Sequence, residues 1–80
     1  MNPFHLIITA VEGAKFDGEA VSVTVPGSAG EMTLLAGHEP IVTTLKSGTI
    51  TVRKDKGDPE RILIEKGVME CSNNRITILV

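Results

Sequence analysis

The run Ala20-Val21-Ser22-Val23-Thr24-Val25-Pro26-Gly27 decides the fold class. Val21, Val23 and Val25 alternate with Ser22 and Thr24, the period-two pattern of a strand with one face buried, and Pro26-Gly27 is expected to stop it. Outward from this run the same pattern repeats. Ile50 and Val52 alternate with Thr49, Thr51 and Arg53, and Ile62 and Ile64 alternate with Arg61, Leu63 and Glu65. The polar, turn-forming Lys54 to Pro59 between them makes the pair a hairpin with a loop of about six residues. Further on, Ser72-Asn73-Asn74 separates Val68 to Cys71 from Arg75 to Val80, where Ile76, Ile78 and Val80 share a face. Asparagine tolerates the left-handed backbone that such a turn needs.

Phe4 to Ala10, Glu31 to Leu35 and Ile41 to Lys46 read as further strands, and Lys15 to Glu19 as a short one in which Asp17-Gly18 allows a bulge or tight corner. Composition agrees: Val, Ile and Thr supply 24 of the 80 residues, while eight Gly and four Pro are spread along the whole length. No segment carries a helical period of 3.6. About eight to ten short strands at regular intervals predict an all-β fold, two packed antiparallel sheets or a flattened barrel, filling residues 1–80 as a single domain.

Composition also excludes function classes. A chain of 80 residues supports one modest core and hardly a deep cleft, which disfavours a stand-alone enzyme. The net charge is −2 and the eight Lys/Arg are scattered from Lys15 to Arg75, so no basic patch for nucleic acid is expected. With two Phe and neither Trp nor Tyr, base-stacking platforms lack their material. The single cysteine rules out an internal disulfide framework, and with two distant histidines it makes a zinc site improbable. No apolar run approaches the roughly 20 residues of a membrane-spanning helix, and the Met1 end lacks the basic and small-residue marks of a signal peptide.

The search for chemistry returns little. No G-x-S-x-G elbow places a base beside a nucleophile. Gly27-Ser28-Ala29-Gly30-Glu31 is glycine-rich, but an acidic residue and a strand follow it where a phosphate loop needs a helix N-terminus and usually a lysine. Cys71, on the same strand face as Met69, reads as a small buried hydrophobe. His38 sits in the turn Ala36-Gly37-His38-Glu39-Pro40 and is a functional candidate through its loop position. His5 reads as structural. No catalytic residue, cofactor or metal ligand is expected.

Taken in order, His5-Leu6, Phe16-Asp17-Gly18, Val23-Thr24-Val25-Pro26-Gly27, Gly30-Glu31, Gly37-His38-Glu39-Pro40, Thr44-Leu45-Lys46-Ser47-Gly48, Gly67-Val68-Met69-Glu70 and Ile76-Thr77-Ile78-Leu79 resemble the N-terminal domain of the epsilon subunit of rotary F-type ATP synthase. The resemblance runs over essentially the whole chain. Its most specific part is the G-x-x-G-E loop followed at short spacing by the G-H-x-P turn and by Thr44-Leu45-Lys46-Ser47-Gly48.

The resemblance implies a ten-stranded antiparallel β-sandwich and a non-catalytic role in the central stalk. The implied partners are the gamma subunit, the c-ring of the membrane sector and, through the complex, the catalytic head; ion flow would thereby be coupled to ATP synthesis. The implied location is peripheral, at the cytoplasmic face of the bacterial plasma membrane. Position by position, Ser28, Ala29, Gly30, Glu31 and Met32 match the segment facing the c-ring, with Glu31 as the polar partner and Met32 carrying more of the hold. Ala10 and His38 match positions near gamma. Longer members continue into a helical hairpin beyond the last strand, whereas this sequence stops at Val80, so the resemblance implies either a naturally short form, the reading the Met1 start favours, or a single domain trimmed from a longer chain; the inhibitory and ATP-binding properties of that hairpin are not expected of the 80 residues. Two positions depart from the pattern, Ala36 before Gly37 and Ser47 before Gly48, where proline is common. The competing reading is a stand-alone β-sandwich module that binds an unrelated protein or peptide.

Overall fold

The computed structural model describes residues 2–80 and contains nine β-strands and, among the described residues, no helix. They are β1 (Phe4–Ala10), β2 (Gly13–Ala20), β3 (Ser22–Gly27), β4 (Gly30–Leu34), β5 (Ile41–Leu45), β6 (Gly48–Arg53), β7 (Glu60–Ile64), β8 (Gly67–Ser72) and β9 (Arg75–Leu79). The strands run alternately between two ends of the molecule. Pro3, the β2–β3 corner, the β4–β5 loop, the β6–β7 loop and the β8–β9 turn occupy one, hereafter the Pro3 end. The β1–β2, β3–β4, β5–β6 and β7–β8 turns and Val80 occupy the other.

Hydrogen bonding orders the strands β2-β1-β9-β8-β5-β3-β6-β7, with β4 on the free side of β3. Five strands, β2-β1-β9-β8-β5, make one layer and four, β4-β3-β6-β7, the other. The layers join at a corner where β5 meets β3 through the single pair Gly27 and Leu45. There the Lys46 amide donates to the Pro26 carbonyl at 2.9 Å.

The alternation read from the sequence is what fills the core. Leu6 and Ile8 of β1, Val23 and Val25 of β3, Ile50 and Val52 of β6, Met69 of β8, and Ile76 and Ile78 of β9 are all essentially inaccessible. Cys71 joins them in the same cluster. Burying each such side chain stabilises the fold by roughly 1.5–3 kcal/mol before conformational entropy is set against it.

The structure corrects five expectations. There are nine strands, not ten. The sheet is not wholly antiparallel, because β1 and β9 pair in parallel from His5 with Arg75 to Thr9 with Leu79. Pro26-Gly27 does not stop β3, since Pro26 pairs with Glu31 and Gly27 with Gly30; Pro26 sits where its missing N–H costs the ladder little, at the end of the strand. The bulge of β2 falls at Lys15, between the pairs of Phe16 with Ile8 and Ala14 with Thr9, while Gly18 stays in register with Leu6. Ser22, assigned to the polar face with Thr24, is also buried, because the chain turns its corner there with the Val21 amide held by the Arg53 carbonyl at 2.8 Å.

Candidate functional site

Ser28 and Ala29 form the two-residue turn between β3 and β4, closed by the Gly27 and Gly30 pair. A Cβ on Gly27 would lie 2.7 Å from the Gly30 carbonyl oxygen, and Gly30 has φ +141°, so both turn glycines are required by the backbone itself. The tip is tied across the corner to β5. The Ser28 amide donates to the Thr44 carbonyl at 3.0 Å, and the Ser28 hydroxyl reaches that carbonyl at 3.1 Å and the Thr44 hydroxyl at 2.7 Å. Glu31 is exposed on the outer face, whereas Met32 pairs with Val25 and packs against the core. Met32 is therefore less available to a partner than its sequence position suggested.

Ala10 closes β1 at this same Val80 end, half-buried, and the Val80 amide donates to the adjacent Thr9 carbonyl at 2.9 Å. It lines a groove of about 330 Å³ with Val11, Glu12, Lys15, Leu63 to Lys66 and Val80. Lys15 bridges Glu12 at 3.2 Å and holds its carboxyl below the ordinary range.

His38 lies at the opposite end, exposed, with Nδ1 2.8 Å from the Glu39 carbonyl. Its loop is anchored by Asn74. The Asn74 side-chain oxygen accepts from the Gly37 amide at 3.2 Å, its nitrogen donates to the Pro3 carbonyl at 3.2 Å, and its backbone carbonyl accepts from the His5 amide at 3.3 Å. Asn73 and Asn74 have φ 51° and 58°, the left-handed pair of a tight hairpin turn, as their sequence predicts. The structure thus gathers Ala10 and the Ser28 hairpin at one end and separates both from His38 by the length of the strands, about 15–20 Å at ~3.3 Å per residue. His5 is not buried; its Nε2 contacts Asp17 at 3.0 Å on the outer face.

Sequence reasoning missed an apolar patch on the outer face of the five-stranded layer. Val42 is 68% exposed, Leu79 55% and Val68 42%, and Val68 pairs with Leu79 across the β8–β9 ladder. Thr44, Leu45, Lys66, Gly67, Val68, Leu79 and Val80 line a shallow, largely apolar groove of about 440 Å³ that begins beside the Ser28 tip. The signal was present: Val68 and Leu79 occupy the polar phase of strands whose other phase holds Met69 and Ile78. Among the described residues no three His, Cys, Asp or Glu side chains gather closely enough to hold a metal ion. What the arrangement presents is exposed contact surface, at the Ser28 hairpin, the apolar groove and the His38 loop.

Residues 3–80 match the model of the ATP synthase delta/epsilon chain β-sandwich domain. The chain belongs to that family. It is 38% identical over 80 residues to the ATP synthase epsilon chain of Sulfurimonas denitrificans, and 38% identical over 80 residues to that of Bordetella parapertussis. All of this chain aligns with the first and 99% with the second, yet it spans 62% and 56% of their respective lengths. Among solved structures, a chain of the Euglena gracilis mitochondrial ATP synthase, an OSCP, F1 and c-ring assembly, has the same fold with a TM-score of 0.91. It is 24% identical, and the match covers 98% of this chain and 50% of that one. A chain of the Tetrahymena thermophila mitochondrial ATP synthase central stalk and c-ring matches with TM-score 0.82 at 11% identity, over 95% of this chain and 61% of its own.

Proposed function

We infer that this domain is a non-catalytic part of the central stalk of a bacterial rotary ATP synthase, seated between the gamma subunit and the c-ring and turning with them at the cytoplasmic face of the plasma membrane. The observation that carries this reading is the family match across residues 3–80, whose curated relatives are bacterial epsilon chains. Physics supports it. A rotor part must pass torque without internal sliding, and a sandwich of two layers packed at crystal-like density, with its layers joined by backbone hydrogen bonds at the β3–β5 corner, deforms little.

In this reading the Ser28 hairpin faces the c-ring. Glu31 is the exposed charge that meets basic or amide groups on the ring, and the Thr44 anchor keeps the tip from folding away under load. An exposed ionic contact contributes roughly 0–1 kcal/mol, so its part is orientation rather than affinity. The apolar groove around Val68 and Leu79, continuous with the hairpin, supplies the area that such a contact lacks, and Ala10 and the His38 loop contact gamma from the two ends. Glu31→Arg tests the assignment in reconstituted membranes carrying the whole synthase: proton pumping driven by ATP should fall by about two- to fivefold, the equivalent of a lost exposed ion pair plus repulsion. Wild-type coupling and ring binding in that variant would remove the hairpin from the ring interface.

A further inference from the structure

The two imidazoles of the chain are held by their neighbours in opposite tautomers. His5 Nε2 lies 3.0 Å from Asp17 Oδ1, and His38 Nδ1 lies 2.8 Å from the Glu39 carbonyl oxygen. Neither a carboxylate nor a carbonyl oxygen has a proton to give, so in the neutral rings the hydrogen sits on Nε2 of His5 and on Nδ1 of His38. Nε2 of His38 is then a bare acceptor. Among the described residues no donor reaches it, and the side chain is exposed.

The backbone that carries this ring is fixed on both sides. Gly37 takes φ +80°, a conformation that side chains resist, and its amide donates to the Asn74 side-chain oxygen at 3.2 Å. The nitrogen of that same Asn74 side chain donates to the Pro3 carbonyl at 3.2 Å, which ties the loop to the start of β1. On the other side Pro40 sets its own φ and keeps Glu39 out of the helical region. A ring whose donor is engaged by the neighbouring carbonyl, in a loop held by Asn74 and Pro40, directs one lone pair at solvent.

The charge beside it specifies what meets that lone pair. From Thr33 to Leu45 the chain has no lysine or arginine, and its one formal charge is the exposed carboxylate of Glu39, next in sequence to His38. An acceptor beside a carboxylate suits a cationic donor, arginine above lysine, because a guanidinium presents several N–H groups in one plane and can serve both. We propose that the His38 loop is a receptor for a basic side chain: Nε2 of His38 accepts a hydrogen bond from an arginine or lysine of the partner, Glu39 offsets its charge, and Asn74 sets the position of the loop. This rests on the reading of the domain as a stalk component, in which that partner is the gamma subunit.

Two measurements test it separately. In the free chain, long-range 1H–15N spectra at about pH 9, where imidazoles are neutral, should show His38 protonated on Nδ1 and His5 on Nε2. Unconstrained histidine favours the Nε2–H form, so a proton on His38 Nε2 would overturn the proposal. The chain is then titrated onto the catalytic head and gamma subunit of its own synthase, stripped of this subunit. His38→Gln, which keeps an acceptor at the reach of Nε2, should bind within about threefold of wild type, whereas His38→Asn, which reaches only as far as Nδ1, should bind about tenfold more weakly. His38→Lys, which puts cation against cation, should bind more weakly still, and Glu39→Gln should lose about two- to fivefold. Circular dichroism establishes that each variant is folded. Wild-type affinity in His38→Asn and His38→Lys would overturn the proposal while leaving the stalk reading in place; a wild-type chain that does not bind the stripped complex would overturn both.

Discussion

Asn74 does more than shape a turn. Its left-handed backbone closes the β8–β9 hairpin while its side chain bonds Gly37 and Pro3. Asn74→Gly keeps the first task and removes the second. It should cost ~1 kcal/mol in urea unfolding and speed exchange of the Gly37 amide, while the β8 and β9 amides stay protected. Asn74→Ala should cost about 1–2 kcal/mol more, because alanine resists a positive φ. Ser28 is the matching anchor at the other end. Ser28→Ala removes both hydroxyl contacts to Thr44 and should destabilise by ~1 kcal/mol, read as a lower urea midpoint at unchanged slope. Burial raises the pKa of the Cys71 thiol above its ordinary value. The unfolded thiol ionises first, so this contribution is intact below the unfolded pKa of ~8.5 and is lost as pH climbs through the raised folded value. The wild type should therefore lose more stability than Cys71→Ala between pH 8 and pH 10, and its thiol should react with a disulfide reagent at neutral pH only after unfolding.

Among the elements, the close passage of β8 past the end of β9 sets a sharp requirement. A Cβ on Gly67 would stand 2.7 Å from the Leu79 carbonyl oxygen, a clash with backbone that no rotamer relieves. Gly67→Ala should cost roughly 2 kcal/mol or more in chemical unfolding and open the Val68–Leu79 groove beside it. Strand identity was legible in the sequence wherever Val and Ile alternated with Thr, Arg and Glu, because one buried face leaves that trace at every second position. The Asn73-Asn74 turn was legible for a like reason, since few residues accept its backbone. Pairing was not. Nothing local in Phe4 to Ala10 or Arg75 to Leu79 says that they are neighbours, still less parallel ones; that is decided by how the whole sheet closes. Pro26 misled because its effect depends on whether its nitrogen faces a partner, which is a property of the edge and not of the residue. The candidate segment was legible as a loop joining two strands, but Met32 turns inward because its phase is that of Leu34.

At the scale of the whole molecule, the two ends present different surfaces. The Val80 end combines the Ser28 hairpin, Ala10 and the apolar groove, while the Pro3 end offers the His38 loop held by Asn74. On the proposed reading, a rigid body suits a part that is gripped by one subunit while resting on another. The most direct measurement is native mass spectrometry of this chain co-expressed with the gamma and c subunits of its own synthase. The account predicts a complex containing gamma and one copy of this chain, joined by the c-ring when that is retained in detergent, and weakened by Glu31→Arg only in its hold on the ring. Assembly of gamma and c without this chain, under conditions where it is folded and in excess, would contradict it.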